Sequence, residues 1–352
     1  MTKFRVQFPG REHSKGRGIG RYTESLIEAL EKTNEVELVD TNPDLIHYGF
    51  FDLFYHTLPN SFSRPTVATV HDLTPLVLSK LYPQGFRAKI NLALQKYSLS
   101  KVSAVITDSQ NSKKDIVSLL GIPENIIHPI HLAVAPELGK TVTQKRLGST
   151  KEKYHLPEQF IFYLGGINPN KNLLRLAKVC QKLNLILVLG GGEFTKAPVK
   201  TFSLKERLGL QSNHPELAEF YAIQRLIASN PLIMATGPIA REDLSAIYRL
   251  ATIYCQPSLY EGFGLTVLEA MTAGCPVVSS DTSSLPEIYP TGTLTFNPEK
   301  QDEIETALTA ALSLPSSQKK LQLARQKEKA ASFSWEKTAK ATLAVYQSVL
   351  NI

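Results

Sequence analysis

The sequence predicts an α/β protein made of two doubly wound, Rossmann-like parallel-sheet domains. Three observations lead there. Short apolar strand-like runs alternate with helix-like segments along the chain, as they do where helices cover parallel sheets. The 352 residues suit two domains better than one. The alternation lapses over 135–157, a polar and basic stretch with no clear apolar period, which reads as a linker. The domains are accordingly placed at 1–140 and 155–333, with a last helix over 334–352.

Taken in order, "FRVQF" reads as a first strand rather than a signal peptide. A helix around Thr23–Lys32 follows, then the strands "VELVD", "TVATV", "AVIT" and "IIHPI". The second half repeats the pattern with "FIFYLG", helix Leu173–Gln181, "LILVLGG", "LIMATG", helix Glu242–Leu250, "IYCQP", helix Leu265–Ala273 and "PVVSS". Residues from about Glu193 to Asn230 read as an inserted loop and helix. At the end, Trp335, Ala339, Leu343, Tyr346 and Leu350 recur at helical spacing behind Ser334, a candidate N-cap. That helix can pack in its own domain or cross back to the first; the sequence does not decide.

Composition narrows the class. Apolar residues make up 43% and charged ones 20%, ordinary for a soluble globular protein. The formal charge, 39 − 32 = +7, suits an anionic small molecule, a lipid headgroup or nucleic acid, and equally serves solubility. No apolar run approaches membrane-spanning length, so membrane contact is expected to be peripheral, at the inner face. Cys180, Cys255 and Cys275 lie in apolar stretches without a CxxC pair and read as core residues in a reducing cytoplasm. His47, His56, His128 and His131 show no metal-ligand spacing and read as structural.

The stretch "LYEGFGLTVLEAM" (Leu259–Met271) carries the chemistry. It leaves the carboxyl end of the buried strand "IYCQPS" and enters a helix near Leu265. In an open parallel sheet, ligands sit at that end, at helix N-termini. Gly262 and Gly264 let backbone approach a ligand, and free N–H groups at Phe263–Val267 favour an anion. Thr266 adds a hydroxyl. Glu261 and Glu269 would repel a phosphate, so they are better read as acceptors for hydroxyl groups on either side of it. A sugar on one side and a ribose on the other describes a nucleotide sugar.

With this stretch in view, E-G-F-G-L-x-x-x-E-A-M resembles the E-x7-E signature of family 4 retaining glycosyltransferases, which have the GT-B fold. "GRGIGRY" (Gly16–Tyr22) resembles that family's glycine-rich loop, and "TVHDLTPL" (Thr69–Leu76) the His-Asp segment of a branch making bacterial polysaccharides. "TDSQNSKKDI", "YLGGINPNKNL", "TGPI", "SSLPEI" and "FSWEKTA" agree in order, so the resemblance spans nearly the whole chain.

The resemblance implies the following roles. Glu261 binds donor-sugar hydroxyls and Glu269 the ribose. Lys171 clamps the phosphate, helped by backbone at Gly18 and Gly20. His71 meets the sugar C6 hydroxyl. Gly165, Gly166 and Asn168 surround the lysine, the base sits near Gly237 and Ile239, and Gly262, Phe263, Gly264, Leu265 and Thr266 face sugar and pyrophosphate. The catalytic set is then His71, Lys171 and Glu261. Much of the family pairs the lysine with an arginine, but this chain has Gly166 and Asn170 at those positions. Arg21 and Arg241 are the candidate substitutes. The resemblance further implies transfer of a hexose with retention, without metal or cofactor, across a cleft between a donor-holding C-terminal domain and an acceptor-holding N-terminal one. UDP-glucose is the first expected donor and GDP-mannose the second, with a glycan or lipid-linked acceptor in polysaccharide biosynthesis and no nucleic-acid partner.

Two rivals stand beside this. "GRGIGR" with Asp40 partly matches a dinucleotide fingerprint, which would make an NAD-dependent oxidoreductase, but the third glycine is missing. A nucleotide-sugar-binding protein without transferase activity is the other. The aromatic "HYGFFDLFYHT" (His47–Thr57) reads as an acceptor-site lining or as a buried strand with its loop. Residues 85–101 read as a basic amphipathic helix, solvated or docked on a membrane.

Overall fold

A computed structural model describes residues 3–10, 18–195 and 215–351, with backbone alone at 18–21 and 215–216. The chain divides into two compact units. Unit 1 comprises Met1–Ser79, Gln84–Ala133 and Phe333–Ile352; unit 2 comprises Lys80–Pro83 and Val134–Ser332. Among the described residues each holds a six-stranded sheet with every pairing parallel. No helix among them is long and apolar enough to cross a membrane.

In unit 1 the strands are β1 (Phe4–Gln7), β2 (Val36–Leu38), β3 (Leu45–Tyr48), β4 (Thr66–Thr69), β5 (Ala104–Thr107) and β6 (Ile127–Pro129), ordered β2-β1-β3-β4-β5-β6. The helices are α1 (Gly18–Glu31), α2 (Thr74–Val77), α3 (Phe86–Leu99) and α4 (Gln110–Asp115). β4 and β5 are buried at every position, as central parallel strands covered on both faces must be. β3 falls where the sequence reading offered a buried strand with its loop as one of two alternatives for His47–Thr57: the aromatic stretch begins inside the strand at His47 and continues as loop.

Unit 2 contributes β7 (Ile161–Leu164), β8 (Leu187–Gly190), β9 (Ile233–Gly237), β10 (Ile253–Gln256), β11 (Val277–Ser280) and β12 (Leu294–Phe296). Its described helices are α5 (Gln144–Lys153), α6 (Leu173–Lys182), α7 (Pro215–Ser229), α8 (Arg241–Leu250), α9 (Leu265–Ala273), α10 (Leu285–Ile288), α11 (Gln301–Ser313) and α12 (Ser316–Ala331). The order β12-β11-β10-β7-β8-β9 means that the chain builds outward from β7 and then returns to lay β10 on β7's other side. Apolar side chains of these strands close on Leu173, Leu176 and Cys180 of α6. All three cysteines are buried and free. The inserted segment gives α7, while 196–214 lies outside the described residues.

The stretch 135–157 carries more structure than its composition suggests. It holds a turn at Pro136–Gly139 and then α5, whose Thr143 cap accepts the Arg146 N–H. Three donors converge on the buried Asp243 of α8: Arg146 at 2.6 Å, Lys153 at 2.7 Å and the Tyr154 hydroxyl at 3.0 Å. A helix held by charge has no apolar period to announce it.

The last helix, α13 (Trp335–Leu350), belongs to unit 1 and packs against α1 and β5. Ser334 caps it by accepting the Lys337 N–H. Its Tyr346 hydroxyl lies 2.6 Å from Nδ1 of His47, whose Nε2 lies 2.8 Å from the Thr69 hydroxyl, which in turn meets the Tyr22 hydroxyl at 3.1 Å. His47 is fully buried, and burial lowers its pKa to about 3, with His71 pushing the same way. The ring is therefore neutral, one nitrogen donating and the other accepting.

Two outcomes are expected. Tyr346→Phe leaves a buried ring nitrogen unpaired and lowers unfolding stability in urea by about 1–3 kcal/mol. The unfolded His47 protonates near 6.5 and the folded one only near 3. Its stabilising contribution is therefore complete above pH 6.5 and is lost as pH falls, by up to about 1.4 kcal/mol per unit. The stability difference between pH 7.5 and 5.5 shrinks in His47→Gln.

Candidate active site

The carboxyl ends of β7 and β10 meet where the strand order of unit 2 reverses, the place where doubly wound sheets take ligands. The loop after β7 runs from Gly165 to Asn172, and the loop after β10 from Pro257 to Gly264. Two buried asparagines sew them together. The Asn170 carbonyl accepts the Leu259 N–H at 2.7 Å, and its side-chain amide donates to the Tyr260 carbonyl at 3.0 Å. Asn172 donates to the carbonyls of Pro257 and Pro298 at 3.0 and 2.8 Å from a left-handed backbone, φ +57°.

That seam presents Lys171 to Glu261. The ammonium donates to both carboxylate oxygens at 2.8 Å, and the Gln256 amide and Ser258 hydroxyl add bonds to Oε1 at 2.8 and 2.6 Å. The Glu261 N–H donates to the Ser283 hydroxyl at 2.9 Å. Gln256 also accepts from the Thr266 hydroxyl at 3.0 Å and from Tyr254. The two residues to which the sequence reading gives separate parts of one ligand are thus paired with each other. Gln256, Ser258, Ser283 and Ser284 were missed. The signal for Gln256 was present: an amide at the carboxyl end of an otherwise apolar strand.

Gly262, Phe263 and Gly264 are buried in the turn, with the Ser284 hydroxyl bonded to the carbonyls of Glu261 and Phe263. Leu265 and Thr266 open α9; the Val267 N–H, expected to be free, instead donates to the Gly264 carbonyl at 3.0 Å, because the first turn tightens on that carbonyl. Glu269, one turn on, accepts from the Tyr248 hydroxyl at 3.0 Å. Burial, with Glu269 nearby, keeps that phenol well above its ordinary pKa, so it remains a donor.

The glycines of the neighbouring loops mark close backbone approach. A Cβ on Gly191 would stand 2.5 Å from the Gly165 carbonyl oxygen. Gly237 ends β9, and Ile239 follows it, reaching over Gly190. Asn168 leads into the turn that carries Lys171. Gly166, one site where the family arginine is absent, lies beside the Glu193 carboxylate, which accepts the Ile167 N–H at 2.8 Å. At the other, Asn170 is committed to the seam and also accepts from the Tyr82 hydroxyl at 2.6 Å. Arg241 is exposed at the start of α8, and the Arg21 side chain lies outside what is described.

The remaining predicted residues belong to unit 1. Gly18 and Gly20 form the first turn of α1, so their backbone amides stand at a helix N-terminus; Gly16 and Arg17 are not among the described residues. His71 follows β4, and its Nδ1 lies 2.8 Å from Oδ2 of Asp108, which follows β5. Asp108 was missed too, although it is the first residue after the strand "AVIT".

Gly264 gives the sharpest local test. It starts α9 with φ +104°, and a Cβ there would stand 2.6 Å from Leu285 Cδ2. Gly264→Ala should cost about 1–2 kcal/mol in backbone strain and a further 1–3 kcal/mol in overpacking. Urea unfolding measures the sum.

Comparison with known proteins bears on the same residues. The model of the family described as "Glycosyl transferases group 1" matches residues 149–329, and that of "Glycosyltransferase Family 4" matches 7–138. The chain is 28% identical over 321 residues to the serotype-specific mannosyltransferase WbdA of Escherichia coli, covering 89% of this chain and 38% of WbdA. It thus spans about two fifths of that relative. It is 28% identical over 311 residues to the O-antigen chain mannosyltransferase B of Escherichia coli, covering 86% and 74%. In fold it resembles sucrose-phosphate synthase from Thermosynechococcus elongatus, with TM-score 0.73 at 17% identity over 99% of both chains. Anabaena Alr3699/HepE, solved in complex with UDP, follows with TM-score 0.67 at 16% identity over 99% and 100%. The two doubly wound units, the seam that joins Lys171 to Glu261 and the family match over 149–329 lead to one conclusion: this chain belongs to the group 1 glycosyl transferases and has the GT-B fold.

Proposed function

We propose that the chain transfers a hexose, with retention, from a nucleotide sugar to a glycan or lipid-linked acceptor in polysaccharide assembly. The observation that carries this is the Lys171–Glu261 pair at the switch point of unit 2. In the structure each ion satisfies the other. An incoming diphosphate offers Lys171 a more highly charged partner, and the freed Glu261 becomes an acceptor for sugar hydroxyls. Phosphate capture and sugar capture are thereby coupled. As the glycosidic bond breaks, charge grows on the leaving phosphate, and Lys171 with the first amides of α9 stabilises it. Glu269, steadied by Tyr248, takes the ribose. His71, Gly18 and Gly20 keep the roles that the family resemblance suggests.

The mannosyltransferase names of the relatives raise GDP-mannose beside UDP-glucose as donor. Neither the family matches nor the named relatives lend support to a dinucleotide oxidoreductase. Thermal unfolding with UDP, GDP, ADP and NAD, with and without EDTA, decides the base. A ligand at one hundred times its Kd stabilises by about 2.7 kcal/mol. Stabilisation by UDP or GDP, unchanged by EDTA, is expected; stabilisation by NAD alone would overturn the reading. Glu261→Gln should lower transfer about 100-fold or more, the scale of losing one electrostatic contact in a transition state, with little loss of nucleotide affinity. Glu269→Ala should weaken nucleotide binding itself.

We infer further that α3 meets an anionic membrane surface, where a lipid-linked acceptor would lie. The helix has two apolar faces. Leu92 and Leu99 turn toward the core of unit 1. Phe86, Ile90, Leu94 and Tyr97 are exposed by 78%, 45%, 42% and 53%, and their spacing puts them on one opposite stripe. Arg87, Lys89, Lys96 and Lys101 flank it, and no acidic residue occurs from Lys80 to Lys101. Lys101 sits 3.9 Å above the Tyr97 ring. This combination fits an interfacial helix. Sedimentation with phosphatidylglycerol-containing vesicles should capture the protein in a salt-sensitive way, and Phe86→Ser with Ile90→Ser should cut capture about tenfold at unchanged thermal stability. Equal capture by purely zwitterionic vesicles would remove the charge argument.

A further inference from the structure

We propose that Asp108 is the positioning residue for His71, holding the Nδ1 proton and leaving Nε2 as the ring atom offered to the donor hexose. The proposal rests on the reading above, in that it gives His71 a part in transfer.

The geometry is local to unit 1. β4 and β5 are adjacent parallel strands in register Thr69–Ile106, so the residues just beyond their carboxyl ends lie side by side. His71 and Asp108 occupy those positions, Nδ1 to Oδ2 at 2.8 Å, with side chains 14% and 5% exposed. Tyr22 of α1 lays its ring edge-on to the imidazole, centroids 4.7 Å apart, which fixes the ring plane from another side. Asp108 Oδ1 is buried without a hydrogen-bond partner among the described residues, and His71 Nε2 is buried without one of good geometry, although the Gly49 carbonyl acts on the ring.

Bare buried polar atoms occur also at Gln95, Thr107, Thr150 and Gln326, but here they belong to a paired histidine and carboxylate. A buried carboxylate with one bare oxygen costs stability, and removing its charge would relieve that cost. Functional sites are where such costs persist. The pair also has one sensible proton arrangement. A carboxylate beside Nδ1 demands an N–H there, so Nε2 is left as the contact atom: an acceptor when the ring is neutral and a strong donor when it is charged. Burial by itself lowers the His71 pKa, but the charge and hydrogen bond of Asp108 outweigh it, helped by Asp72 and the Gly49 carbonyl, and the net shift is upward. The other titratable groups facing the pair are His131, which acts on Asp108, the neutral His47 of β3, and Tyr22 of α1. Asp72 itself accepts the Thr74 N–H at 2.8 Å, which ties it to the start of α2.

The test uses the full chain and Asp108→Asn, which keeps an acceptor for the Nδ1 proton and removes the charge. Three readouts are taken: thermal stability, His71 titration by NMR of histidine-labelled protein, and kcat and KM for the nucleotide sugar between pH 6 and 9. The expected result is stability equal to or above wild type and a His71 pKa lower by a unit or more. Together with these, kcat should fall about 10- to 100-fold, less than the roughly 100- to 10,000-fold that a direct acid–base group supplies, with KM within threefold. The alkaline limb of the rate should move to lower pH with the His71 titration. In a His71→Asn background, Asp108→Asn should have no further effect on kcat. An unmoved His71 titration overturns the proposal, whether or not the wild type transfers sugar, which separates its failure from failure of the functional reading. A moved titration with unchanged kcat overturns it as well. So does a kcat loss that persists in the His71→Asn background, because Asp108 would then act otherwise than through the histidine. If Asp108→Asn does not fold, the wild-type titration decides: a His71 pKa at or below 6.5 overturns the proposal and one above it supports it.

Discussion

The candidate site depends on one arrangement, β10 lying beside β7. Parallel strands cannot be joined by a hairpin, so each must be reached by a crossover, and a sheet that grows first one way and then the other must reverse somewhere. In unit 2 the reversal falls between these two strands. The loops that leave their carboxyl ends bond to each other. Asn170 and Asn172 then fix the loops against one another through backbone carbonyls, which do not depend on side-chain identity in the partner loop. Lys171 stands between these two asparagines, so its reach to Glu261 follows from the seam.

The electrostatics of the site follow from the same geometry. Glu261 is mostly buried, and a carboxylate in that position needs neutralisation and donors. Lys171 supplies the first, and Gln256 and Ser258 the second. The polar residues that do this lie at strand ends, where the sheet's apolar cover stops. Unit 1 repeats the logic with different residues, placing His71 and Asp108 beyond the ends of β4 and β5. In both units a buried carboxylate is tolerated because a donor reaches it from the neighbouring strand's loop at hydrogen-bond distance.

Stability and chemistry are divided between different parts of the polar network. The His47–Tyr346 contact ties the last helix to unit 1 with a neutral ring and no bare nitrogen, which is what a structural polar contact requires. The Asp243 cluster holds α5 in the same spirit, with three donors on one carboxylate. His71 and Asp108 differ, since Asp108 keeps a buried oxygen without a partner among the described residues.

The sequence by itself determined the doubly wound class, the span of most strands and helices, and the two glutamates of "LYEGFGLTVLEAM" as polar groups at a strand-to-helix turn. It could do so because these are local properties: apolar runs of strand length, helical spacing such as Leu265–Ala273, and glycines where backbone must come close. It could not show α5, because a helix docked by Arg146 and Lys153 on a distant aspartate has no apolar period. It could not assign the last helix to unit 1, because the spacing of Trp335, Tyr346 and their neighbours shows that a face is buried but not against what. It gave no hint that Lys171 and Glu261 pair, or that Asp108 stands behind His71. Those contacts join residues 90 and 37 positions apart, and only the strand order and register bring them within 2.8 Å.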